Sequence, residues 1–234
     1  MASLKPLYNW KRISTIGTRI GDDREIIIEM ATCKEDLLSM RRIRQQVFEN
    51  EMGLTLPALI TPEGVAAAHV IARVEFTGEP VAALTVVDTT NEVDLCEQYG
   101  ICLHPDARTA RYTQLAVSKP YRGMNLPLML ILKAHYHFVA PGKFSHTWLL
   151  FDAKRAANSS LCARLGFSAS ERVFHSQLGI TRILVRDERS AFCEQALRQT
   201  QQYLAPVAQN NGANSHLRLS DGEIPDGRAQ RVGG

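Results

Sequence analysis

The segment Gln114-Leu115-Ala116-Val117-Ser118-Lys119-Pro120-Tyr121-Arg122-Gly123-Met124-Asn125-Leu126 decides how this chain folds. Arg111 to Ser118 alternates as a strand does, Pro120 and Gly123 break it, and Leu126 to Val139 is apolar on nearly all sides. That order predicts a strand, a tight turn and a helix buried within the fold.

Working outward, the β-branched run Ile26-Ile27-Ile28 predicts a strand from Glu25, with Thr32 as the following helix N-cap and Glu35 placed for a capping box. Leu37, Met40, Ile43, Val47 and Phe48 recur at helical spacing across 33–50, with Arg41, Arg44 and Glu51 elsewhere on the helix. Val65–Phe76 and Pro80–Val87 predict a hairpin turned at Gly78, whereas 89–108 is ambiguous. Beyond the central segment come a strand at Phe144–Phe151 and a helix over 155–165 stopped by Gly166. Strands near 172–177 and 180–186, joined at Leu178-Gly179, and a helix over 189–203 complete the domain. Residues 1–24 read as an irregular arm, 25–204 as one domain, and 205–234, poor in large apolar residues, as a disordered tail.

The chain has 234 residues and a net charge of +3, enough for one sizeable core and too weakly basic to argue for nucleic acid. Five cysteines without a C-x-x-C pair suit a reduced cytoplasm. No signal-like start is seen, and the longest apolar run is far short of the ~20 residues a membrane span needs. His135 and His137, two apart on a helix, point to different faces, which argues against a shared metal.

The strand at Leu115 and Val117, the turn at Arg122-Gly123, and the later Asn158 through Leu165-Gly166-Phe167 together resemble the GNAT acyltransferases over about residues 25 to 186. The resemblance implies an α/β fold with a mixed, mostly antiparallel central sheet, splayed between two strands, with helices on both faces. It implies that the bulged strand Leu115, Ala116 and Val117 offers main-chain groups to the pantetheine arm of an acyl donor. Arg122, Gly123, Met124, Asn125 and Leu126 would form a phosphate-binding turn and helix start. Asn158 would contact the arm from the other side. Upstream, Arg44-Gln45-Gln46-Val47-Phe48-Glu49-Asn50-Glu51-Met52-Gly53 is similar to the first helix of the N-acyl amino acid synthases and acyl-homoserine-lactone synthases. Both take long acyl chains, often from acyl carrier protein. Val47 and Phe48 also read simply as core.

Several residues depart from that pattern. Asn125 and Pro127 stand where common GNAT turns have glycine, and proline has no N–H to donate, so the cradle is poorer by at least one donor. This favours acyl carrier protein, with its single phosphate, over coenzyme A. Lys119, Arg122, Lys133, Lys143, Lys154 and Arg155 offer an acidic carrier a basic rim, or form an ordinary solvated face. Cys162 replaces a tyrosine that protonates the leaving thiolate in many relatives, and is either a proton donor or a buried core residue. Where several relatives carry a glutamate base, this chain has Arg111, Tyr112, Thr113 and Gln114. The candidates for the base are therefore His69 and Glu75, placed on one face of a strand, and His104. Val117 is the candidate oxyanion donor, and the role of Glu51 stays open.

The expected activity is amide formation from a long-chain acyl thioester, on acyl carrier protein or coenzyme A, and an amine of an amino acid or a peptide side chain. The thioester is a co-substrate, and no permanently bound cofactor is expected. Two alternatives remain open: a short-chain acetyl-coenzyme A N-acetyltransferase, and a GNAT-fold binding module without activity.

Overall fold

The computed structural model describes residues 12–16, 23–54, 66–92, 106–152, 156–176 and 179–209. Eight strands form one sheet: β1 (Arg12–Ile16), β2 (Asp23–Met30), β3 (Ala67–Val74), β4 (Pro80–Asp88), β5 (Thr109–Val117), β6 (His146–Asp152), β7 (Ser168–Ser176) and β8 (Gly179–Asp187). Their spatial order is β1-β2-β3-β4-β5-β6-β8-β7, and every junction is antiparallel except β5–β6, which is parallel. The sheet is thus mixed and mostly antiparallel, as expected.

Helix α1 (Lys34–Arg44) runs on as π-helical turns over Gln45–Glu51, and α2 (Leu126–Ala134) likewise over His135–Val139. Helices α3 (Ala156–Arg164) and α4 (Ala191–Gln209) complete the helical set among the described residues. On one sheet face, the α2 residues Leu126, Leu128, Met129 and Leu130 pack with Ile28, Val70, Leu84 and Tyr112 in the main core. At about 1.5–3 kcal/mol for each large side chain withdrawn from water, this side dominates the stability. On the other face α1 lays Met40, Ile43 and Val47 over Ile71, Ala83 and Ala116.

Five sequence expectations change. The irregular arm contains β1, which pairs Arg12 with Ile27 through Ile16 with Asp23, because backbone pairing along the edge of β2 needs no apolar period. The N-cap of α1 is Cys33 rather than Thr32, and the acid that completes the cap is Asp36 rather than Glu35: its Oδ2 accepts from the backbone N–H of Thr32 (3.0 Å) and Cys33 (3.4 Å). Leu37 is 40% exposed, since the first turn is held by an Asp36–Arg73 ion pair and not by apolar burial. Arg44 lies on the buried face, where the rows through Met40 and Ile43 carry it. Finally, α4 continues through Pro206 to Gln209, a last stretch anchored by the preceding buried face of Cys193, Ala196, Leu197, Thr200, Gln201 and Leu204. The rest of the expected tail lies outside the described residues. No helix among those described is long and apolar enough to cross a membrane.

Candidate functional site

Strands β5 and β6 pair only from Thr109–His146 to Tyr112–Leu149, although β5 runs to Val117 and β6 to Asp152. The two strands therefore part after Tyr112, ahead of the Leu115–Val117 stretch expected to meet the pantetheine arm. Opposite the gap, β5 is bulged: Thr85 pairs with Thr113 and Ala83 with Ala116, so Gln114 and Leu115 together face Leu84. Gln114 has φ +54°, a conformation costing a non-glycine residue ~1–3 kcal/mol unless its surroundings hold it. Arg44 provides the hold, with Nε donating to the Gln114 carbonyl (3.2 Å) and Nη2 to Thr85 Oγ1 (2.5 Å). An extra residue bends and twists its strand, which turns β5 away from its neighbour.

The bulge also sets which backbone groups look into the gap. Ser118 N–H donates to Val81 O at 2.9 Å, so the Val117–Ala82 pair is one whose own N–H and C=O groups point away from β4. For Val117 that direction is the gap. Its carbonyl accepts from Arg122 Nε at 3.1 Å, and Arg122 Nη2 meets Glu51 Oε2 at 2.5 Å. Glu51, left open by the sequence, is thus the partner of the candidate phosphate-binding arginine. Leu115 lies in the bulge itself with its side chain against the main core, while Ala116 is buried under α1.

Lys119–Tyr121 forms a single 3-10 turn whose Tyr121 is buried, Gly123 has φ +87°, and Asn125 caps α2 from the left-handed region at φ +58°. The Asn125 side chain makes no capping bond. Pro127 has no N–H, Met129 N–H bonds to Asn125 O (3.2 Å), and Leu126 and Leu128 carry the first-turn amides available to an anion. The Met124 and Leu126 side chains belong to the core, so the backbone of this turn and Arg122 remain as the groups for a phosphate. Among the described residues, Lys143 follows the far end of α2 and its π turns, ~20 Å from Arg122 at 1.5 Å per residue, so the expected basic rim is not continuous between them; Lys154 and Arg155 lie outside those residues.

A polar strip crosses the face that α1 covers. His69 Nδ1 lies 2.8 Å from Thr85 Oγ1, the same hydroxyl that receives Arg44. A guanidinium only donates, so Thr85 Oγ1 accepts from Arg44, and its O–H and second lone pair let it either donate to Nδ1 or accept from it. Burial, and then the Arg44 charge, push His69 below the usual histidine range. Burial alone brings the Arg44 guanidinium down to about 10. The downward push on His69 favours the neutral ring, the form that a base needs before it takes a proton. Glu75 sits in the β3–β4 turn beyond Val74, so it does not share a strand face with His69. His104 lies outside the described residues, as does the Asn158 side chain, although Asn158 itself is in the first turn of α3. Cys162 is buried in the main core and burial pushes its thiol up to about 12, which makes it a weak proton donor.

One cluster went unread in the sequence. Arg186, fully buried, donates to Glu188 Oε1 (2.7 Å), Leu165 O (3.1 Å) and Tyr112 Oη (3.2 Å), and stacks on Phe167 with its carbon 4.7 Å from the ring centroid. Thr147 donates to the same Glu188 oxygen, and His135 Nδ1 approaches Oε2 at 3.4 Å. Against the burial that pushes it up, Arg186, with His135 and Thr147, holds Glu188 down at about 2. Because Tyr112 is the last paired residue of β5, this cluster fixes the closed end of the gap. Alternation placed Arg186 on the Leu184 face, and a guanidinium at a core position was the signal. Among the described residues, no group of three His, Cys, Asp or Glu side chains could hold a metal.

No family model and no curated protein sequence matches the chain. Solved structures do. NAA60 of Arabidopsis thaliana, in complex with acetyl-CoA, aligns at TM-score 0.54 with 15% identity, over 70% of this chain and 99% of that one. An acyl-CoA N-acyltransferase from Pseudomonas aeruginosa aligns at 0.52 with 17% identity, over 69% and 97%. The CoA-dependent acyl-homoserine lactone synthase BjaI, with SAM and isopentyl-CoA, aligns at 0.51 with 14% identity, over 71% and 83%. With its single parallel junction opened beside a bulge, the chain has the GNAT fold.

Proposed function

We propose that this chain is an N-acyltransferase that moves an acyl group from a phosphopantetheine thioester to an amine. The observation that carries the reading is the pair of Val117 main-chain groups aimed into the gap between β5 and β6. An extended arm laid there continues the ladder that β6 abandons, just as a peptide adds to an open sheet edge. Attack by the neutral amine forms the C–N bond and breaks C–S, and the proton lost by nitrogen ends on the departing thiolate. The Val117 N–H is the donor for the oxyanion formed on the way.

Two features support a donor with a single phosphate on a carrier protein: Pro127 removes one amide from the turn, and Arg122 is already shared with Glu51. The names of the aligned structures favour coenzyme A instead, since BjaI is CoA-dependent and the plant protein holds acetyl-CoA. The similarity of Arg44 to Gly53 to the first helix of long-chain N-acyltransferases supports a long acyl group and an amino acid acceptor. Thiol release from acyl-coenzyme A and acyl carrier protein, at acetyl, hexanoyl and dodecanoyl lengths and across a panel of amines, tests the reading. Amine-dependent release with an amide product is the expected result. Donor binding without release for any amine would leave a non-catalytic binding module in its place.

A further inference from the structure

Arg111 is a half-buried cation on the sheet face opposite the main core. Its neighbour Tyr112 points into that core, so two-residue alternation sends Arg111 and Thr113 to the other side. There its guanidinium carbon lies 5.2 Å from the centre of the Trp148 ring, the residue it pairs with across the parallel junction. Trp148 is only 1% exposed, so the seat is rigid. Arg111 Nε is buried and has no hydrogen-bond partner among the described residues. A buried guanidinium N–H without an acceptor is costly in a finished interior, and is resolved when an anion arrives.

The same face carries a second polar group. Thr113 pairs with Thr85, and Thr85 with His69, so the His69 ring stands two strands away, ~10 Å, with its Nδ1 at the Thr85 hydroxyl. The gap opens at Thr113, two residues or ~7 Å along β5 from Arg111, within reach of an arginine side chain. Resting on the N-acyltransferase reading, we propose that Arg111 anchors the carboxylate of the acceptor, which makes the acceptor class an amino acid with a free carboxylate. The planar fork meets the carboxylate, the indole holds the fork, and the acceptor amine is left facing the thioester in the gap.

The test uses the full chain and two probes that differ in one group: N-dodecanoylglycine and N-dodecanoylglycinamide, titrated calorimetrically. The carboxylate is expected to bind at least ten-fold tighter than the amide. Arg111→Met is expected to erase that preference, and Arg111→Lys to keep part of it. Equal binding of the two probes by the unaltered chain, binding of neither, or a preference that survives Arg111→Met overturns the proposal, and the first two outcomes need no variant to fold. Turnover separates this inference from the reading beneath it. An enzyme that acylates amino acid amides as well as free amino acids remains an N-acyltransferase without a carboxylate anchor. A chain that shows Arg111-dependent carboxylate preference but releases no thiol retains the anchor and loses the transferase assignment.

Discussion

Arg122 holds Glu51 with one arm of its guanidinium and the Val117 carbonyl with its Nε, so the arginine expected to receive the donor phosphate is engaged across the mouth of the gap. Donor binding must break the contact with Glu51. An exposed ion pair of this kind is worth ~0.2–1 kcal/mol, so Glu51→Gln should tighten coenzyme A binding by up to about five-fold at low salt. Arg122→Ala should weaken it by about ten-fold through loss of a charged hydrogen bond. Calorimetric titration of both variants decides, and a Glu51→Gln variant that binds coenzyme A more weakly contradicts the competition.

Val117→Pro tests the proposed oxyanion donor. The Val117 N–H faces the gap and takes no part in the β4–β5 ladder, so proline removes it without unpairing the sheet, and Ala116 already has the extended backbone that a following proline requires. The melting temperature should move by only a few degrees, whereas kcat should fall by about 10²-fold, the usual effect of deleting one such donor. Turnover that survives intact would assign the oxyanion to another group.

Removing Glu188 should be severe. With Arg186 fully buried, Glu188→Gln strands an unneutralised guanidinium and should cost about 3–5 kcal/mol in chemical denaturation. A loss under 1 kcal/mol would show that Tyr112 and the Leu165 carbonyl alone satisfy Arg186.

Acid should destabilise the fold in two stages. His69 and His135 are both held below their ordinary value of 6.5, chiefly by burial, and Glu188 is held at about 2 against an ordinary 4.5. Each binds its proton more weakly when folded, so the unfolded chain takes up protons first as the pH falls and stability declines. The histidine contributions are complete above about pH 6.5 and fade below it, and that of Glu188 is lost between about 4.5 and 2. Thermal melts should show a midpoint that is level from pH 8 to about 6.5 and falls from there to pH 3, and a flat profile between pH 6.5 and 5 would place both histidines outside the effect.

The order of elements was legible because β5, its turn and α2 each carry a local signal: alternation in Arg111–Ser118, the breakers Pro120 and Gly123, and an apolar run that only a buried helix accommodates. The site was less legible because its polarity depends on partners distant in sequence. That His69 shares the Thr85 hydroxyl with Arg44 joins it to groups 16 and 25 positions away, and no local pattern announces it. The role of Glu51 stayed open until the fold set Arg122 beside it. Arg44 and Arg186 could have been found, because each occupies a position that the helical or strand period assigns to the core.

Within the sheet, the leaf made of β1 to β5 and the leaf made of β6, β8 and β7 are stitched by only four residue pairs. What keeps the leaves together is the interior they share, where Leu84 and Tyr112 of the first pack with Leu149 and Leu184 of the second and Arg186 reaches across from β8 to Tyr112. Spreading the opening would shear that common interior, so its width is set by packing more than by the short seam.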